Sequence, residues 1–313
     1  MDAFTPEMVT LVVAMLAAGA VAGIAAGLFG IGGGFIVVPA LIAVFGLLDF
    51  DPSLTVHMAI GTSLATIILT SLRSVHAHAK RGAVDFTVLR SWAPWIIVGV
   101  IAGLIFAAQV KGATLVTVFG IGVFLLSIHF LFPRLLGKLQ ISDHMPSGVA
   151  LIGLAVILGG FSALLGIGGG TIAVLTMTLC GRPIHQAIAT AAGFGAIIAI
   201  PGAIGFIIMG WNDAALPPGS LGYVNLIGLV AIASTSTLTA PIGAALAHRL
   251  PPITLKRVFG AYLVFTSLLM LKDVAPWSHP APDDVPRIAK SDPNTPATRL
   301  TAVPASSTER SVP

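Results

Sequence analysis

Five residues, Gly-Ile-Gly-Gly-Gly, occur twice in the chain, at Gly30–Gly34 within "GLFGIGGGFIVVP" and at Gly166–Gly170 within "ALLGIGGGTIAVL". Both copies interrupt strongly apolar stretches, where each glycine weakens regular structure by roughly 1 kcal/mol. What such a turn offers is main-chain chemistry. A helix that starts just after Gly34 or Gly170 leaves its first N–H groups without intrahelical partners and directs the positive end of its dipole at the turn. Small residues also let a ligand approach the backbone, and the ligand suited to that field is an anion. Gly32, Gly33, Gly34, Gly168, Gly169 and Gly170 are the first candidate binding residues. Close helix packing is the other reading, because glycines in apolar helices also serve to let helices approach.

Polar side chains recur with the same duplication. "HMAIGT", His57–Thr62, resembles "HQAIAT", His185–Thr190. A histidine titrating near neutrality can hold an anion or carry a coupling proton. At a helix end it can also be simply interfacial, so His57, His185 and the adjacent Gln186 stand with both readings. Thr62, Ser63 and Thr190 lie one to two turns further along, where hydroxyls can donate to an oxyanion or bond back to their own helix. Ser234 and Thr235 open "STSTLT", a polar run ahead of Pro241 that can line a substrate path or support a proline kink. Arg73 falls about 27 Å along its helix from Thr55, at the rim, where snorkelling explains it. His76 and His78 are two positions apart and point to different helix faces, which argues against a metal pair.

The elements that carry these residues follow from composition. Of 313 residues, 56% are hydrophobic and 9% charged, against about 25% charged in an average soluble domain. Runs such as 11–28 and 147–165 approach the roughly 20 residues that a spanning helix needs, and they lack the alternation of a membrane β-barrel. The chain reads as an all-α polytopic membrane protein. Its ten apolar segments are 9–28, 33–48, 55–78, 86–109, 113–132, 147–165, 169–180, 186–209, 220–246 and 253–271. The opening "MDAFTPEM" lacks the basic region of a signal peptide, so the first segment is expected to stay.

Internal repetition organises the segments. Gly30 falls on Gly166 at an offset of 136, His57 on His185 at 128, and Gly103 on Gly243 at 140. This predicts two repeats of five segments, 8–132 and 147–271, joined by a cytoplasmic linker, 133–146, and followed by a Pro- and Ser-rich disordered tail, 272–313. Bases cluster in the loops at Lys80/Arg81, Arg134/Lys138, Arg182 and Arg249/Lys256/Arg257, which assigns those loops to the cytoplasm and both termini to the periplasm. The halves are then inverted with respect to each other. The segment after the second glycine cluster has only the twelve residues 169–180, about 18 Å of helix against a hydrocarbon core of roughly 30 Å. Each glycine cluster is therefore expected to form a discontinuous or re-entrant hairpin, and the two hairpins to meet near the midplane.

At these residues the sequence resembles the TauE/SafE family of sulfite exporters and sulfonate permeases. The resemblance rests on the paired turns, on the A-x-x-T sequences Ala59–Thr62 and Ala187–Thr190, and on "APIGAALAHRLPPITLKRVFGAYLVFTSLLML" near the end. It implies a bacterial inner-membrane transporter of sulfite or an organosulfonate such as sulfoacetate. The single cysteine, Cys180, excludes an internal disulfide. No Walker-type nucleotide loop, G-x-S-x-G or H-E-x-x-H occurs, so neither an enzyme nor a cofactor is expected. The expected partners are a small anionic substrate, the lipid bilayer and a coupling proton or ion, without nucleic acid. A non-transporting scaffold and a carrier of an unrelated small anion are the alternatives, and the oligomeric state stays open.

Overall fold

Among the described residues ten helices form where ten apolar segments are expected. In the computed structural model they are α1 (Pro6–Phe29), α2 (Gly34–Leu47), α3 (Pro52–Ala79), α4 (Phe86–Gln109), α5 (Gly112–Leu131), α6 (Gly148–Leu165), α7 (Gly170–Leu179), α8 (Ile184–Met209), α9 (Leu226–Ala247) and α10 (Pro252–Lys272). Residues 6–29, 33–48, 50–132, 142, 144–247 and 252–272 are described. Gly32, most of the linker and the tail beyond Lys272 lie outside them. Among the described residues about 82% are helical, and five helices there are long and apolar enough to cross a membrane.

One boundary moves. The segment expected from residue 220 begins instead with a short antiparallel hairpin, β1 (Ser220–Leu221) and β2 (Val224–Asn225), before α9 starts at Leu226. Gly219 and Gly222 take positive φ there, 82° and 53°, a backbone state that glycine adopts without strain. Asn225 then caps the new helix, its Oδ1 accepting the Gly228 N–H at 2.7 Å. Apolar composition alone does not register that turn.

The most polar helix is the most buried. Within α3, Thr55, His57, Thr62, Ser63, Thr66, Thr70 and Ser71 are all buried, and 83% of its spanning window lies inside the protein, against 33% for the windows of α4, α6 and α9. Polar groups in an apolar bundle must face its interior and satisfy one another there. The outer faces of α4, α6 and α9 expose Val98, Ile101, Ile105, Ile157, Val230 and Leu238, which lipid rather than water can cover.

Helix pairing carries a two-fold exchange. The main partners are α1 with α9, α4 with α6, α3 with α8 and α5 with α10. The first helix of each half thus packs on the fourth helix of the other, while third meets third and fifth meets fifth. The exchange holds at single residues. Gly23 of α1 lies against the Ser236 backbone of α9, and Gly159 of α6 lies against the Ile96 backbone of α4. Gly243 faces the Ile24 carbonyl, and Gly103 faces the Gly160 carbonyl. By the offsets 136 and 140 these are the same two contacts, each written twice. At all four glycines a Cβ would strike backbone, so small residues set the helix separation.

Candidate functional site

The two glycine turns adopt one conformation. Gly33 precedes α2 with φ 80° and ψ −5°, and Gly169 precedes α7 with φ 66° and ψ −2°. Both are left-handed N-caps without a capping side chain. Gly33 and Gly34 are buried, as is the whole second turn from Gly166 to Gly170, Gly168 included.

The turns touch. A Cβ at Gly34 would overlap the Gly166 carbonyl oxygen and stand 3.0 Å from Ile167 Cα. Ser63 of α3 donates its hydroxyl to that same carbonyl at 2.8 Å, tying the second turn to the central helix. On the other side of the turn a Cβ at Gly195 of α8 would meet Ser71 Oγ and, at 3.5 Å, the Gly168 carbonyl. The N-terminus of α2, the start of the α7 turn and the middle of α3 and α8 thus converge on one buried place.

Thr62 and Thr190 occupy equivalent sockets beside it. The Asn225 backbone N–H donates to Thr62 Oγ1 at 2.9 Å, and the Asp85 backbone N–H donates to Thr190 Oγ1 at 2.9 Å. Asp85 and Asn225 are themselves matching caps: Asp85 Oδ1 accepts from Thr87 and Val88, as Asn225 accepts from Gly228. Thr62 therefore docks the capped start of α9 onto α3, and Thr190 docks the capped start of α4 onto α8.

The remaining predicted residues are spread out. His57 lies in the second turn of α3, its Nε2 3.3 Å from the Ala107 carbonyl and its ring 5.3 Å from Tyr223. His185 opens α8, but its side chain lies outside the described residues; Gln186 is half-buried one position on. Ser234 and Thr235 are not brought to the turns. Both bond back to the Ala231 carbonyl, at 2.9 and 3.2 Å; Ser234 is exposed, and Thr235 packs against Gly19 of α1.

Two hydroxyls that the spacing did not single out stand at the second turn. Ser162 Oγ and Thr171 Oγ1 are buried without a hydrogen-bond partner. The signal that could have found them is a difference between the repeats, since at offset 136 they replace Ala26 and Phe35. Arg182, read as a rim base, pairs with Asp85 at 3.6 Å. The cytoplasmic-type loop before α4 and the loop before α8 therefore share one end of the bundle. Among the described residues no three His, Cys, Asp or Glu side chains gather to hold a metal.

The description "Sulfite exporter TauE/SafE" belongs to a family model that matches residues 15–270. A probable membrane transporter protein of Haemophilus influenzae is 33% identical over 263 residues, covering 84% of this chain and 99% of its own length. One from Methanocaldococcus jannaschii is 28% identical over 278 residues, covering 85% and 97%. YunE of Bacillus subtilis, also described as a probable membrane transporter protein, is 24% identical over 276 residues, covering 80% and 94%. No solved structure matches. With the apolar helices, these matches support a multi-pass membrane transporter.

Proposed function

The chain belongs to the TauE/SafE family, and on that premise we propose that it is a secondary transporter of a small sulfur-containing anion, sulfite or an organosulfonate such as sulfoacetate. The proposed location is the bacterial inner membrane, with both termini periplasmic and the loops holding Lys80, Arg81 and Arg182 cytoplasmic. The observation that carries the reading is the contact of the two glycine turns, Gly34 against the Gly166 carbonyl. It sets the start of α2 against the beginning of the buried turn that leads into α7, and each of these two helices is preceded by a left-handed glycine without a side-chain cap. Helix N-termini facing an interface of inverted repeats are suited to an anionic group in a membrane.

The mechanism proposed is alternating access, which the packing supports. Sealed turns cannot exchange an anion with water, so the two halves must move relative to each other for the site to open to one side and then the other. The two-fold pairing of α1 with α9 and α4 with α6 makes the two openings structurally alike, as alternating access requires. Purified protein in liposomes should take up labelled sulfite or sulfonate along an imposed gradient. Absence of flux for every oxyanion offered would overturn the reading.

A further inference from the structure

Two buried hydroxyls with no partner need an explanation, because leaving such groups unpaired costs stability and native interiors pair nearly all of them. Ser162 is fully buried in the last turn of α6, and Thr171 is 4% exposed in the first turn of α7. They flank one turn. Ser162 Oγ lies 3.1 Å from where a Cβ of Gly169 would stand, and Thr171 follows Gly169 by two positions, with its side chain tilted toward the helix start. The turn leads into α7, a ten-residue helix in which Ala173 N–H donates to the Gly169 carbonyl at 3.0 Å.

We propose that the Ser162 and Thr171 hydroxyls, with the α7 N-terminus, donate hydrogen bonds to the oxygens of the transported oxyanion, so that the second glycine turn holds its head group. This rests on the transporter reading and adds which turn binds. The two turns are unequal. Where the second has Ser162 and Thr171, the first has Ala26 and Phe35, which offer no donor. Two hydroxyl donors on either side of one turn suit an acceptor-rich anion better than an apolar solute. With the ligand bound the hydroxyls are satisfied, and without it they are not. The cost of the unpaired groups is then borne by the empty carrier.

The test uses the full-length protein in detergent, with sulfite and methanesulfonate as probes in a thermal-shift titration. Ser162→Ala and Thr171→Val remove one hydroxyl each at nearly constant shape, and Thr176→Val, whose hydroxyl already bonds the Ile172 carbonyl at 2.9 Å, serves as control. Each of the first two variants should raise the Kd by about tenfold, with the control unchanged. Their ligand-free melting temperatures should equal or exceed that of the parent. Unchanged Kd in both variants overturns the assignment and leaves the transporter reading standing. A lower ligand-free melting temperature in both also overturns it, because it marks the hydroxyls as structural. If the parent protein binds neither probe, this assignment and the transporter reading fall together.

Discussion

Replacing Gly34 by alanine separates the contact between the two turns from every other property of that residue. Gly34 carries no positive φ, so alanine meets no backbone strain there. The added Cβ overlaps the Gly166 carbonyl oxygen, which is backbone and is further held by Ser63 at 2.8 Å. Ordinary contact begins near 3.4 Å, so the turns must part by about 1 Å, an overpacking that costs about 1–3 kcal/mol in a close-packed interior. Gly46, in the same helix, has nothing within 4 Å of its Cβ position. Alanine there should be neutral or stabilise by up to about 1 kcal/mol through helix propensity. Positioned groups displaced by about 1 Å lose on the order of a hundredfold in rate, so Gly34→Ala should cut anion flux into liposomes by about tenfold or more. Gly46→Ala should match the parent, and both variants should insert equally. Parental flux in Gly34→Ala would show that the turns can part without consequence, and the reasoning that places the site between them would fail.

Three further outcomes follow from the same geometry. Thr62→Val and Thr190→Val each leave a backbone N–H, of Asn225 or Asp85, without its acceptor; each should lower stability by about 1–3 kcal/mol in thermal unfolding, and a neutral Thr62→Val would remove the docking role. Gly169→Leu forces a side chain into φ 66°, with Ile198 Cδ1 2.5 Å from the new Cβ. It should reach the membrane in normal amount yet carry no anion, and normal flux would rule the second turn out of the site. Tyr223 donates its hydroxyl to Asp213 Oδ2 at 3.2 Å, and burial first, then the Asp213 charge and that bond, raise its phenol above 10.0. The neutral phenol is favoured by folding, so its contribution is complete below pH 10.0 and is lost as pH rises through the raised value. Tyr223→Phe should therefore flatten the alkaline fall in melting temperature, and an identical fall in both proteins would refute that link.

The frame was legible in the sequence because it is repetitive. Apolar run lengths located the ten helices found among the described residues, and the offsets of 136 and 140 relate the contact of Gly23 with Ser236 to that of Gly159 with Ile96. The β1–β2 hairpin was not legible, because Leu221, Tyr223 and Val224 read as apolar helix while the positive φ of Gly219 and Gly222 leaves no trace in hydropathy. Among the candidate residues, spacing found the turns, since a glycine cluster is an anomaly in an apolar run. Spacing could not separate a hydroxyl that docks a helix from one that is buried without a partner. Thr62 is bonded to Asn225, Ser234 to its own helix, and Ser162 to nothing, and only tertiary contacts distinguish the three.

The differences between the repeats are as informative as their likeness. Interfaces that must be formed twice, Gly23 on Ser236 with Gly159 on Ile96, and Thr62 under Asn225 with Thr190 under Asp85, are kept by both halves. A carrier whose halves exchange roles needs equivalent hinges and seams, because each seam opens in one state and closes in the other. The substrate imposes no such symmetry. A small anion can be held by one strong set of donors, and a second set facing it would tighten binding in both states without easing release. Ser162 and Thr171 against Ala26 and Phe35, like Asp85 paired with Arg182 against an uncharged Asn225, mark where the halves have parted. Residues that obey the repeat should therefore act on stability and on the rate of exchange. Residues that break it should act on affinity and on the choice of anion.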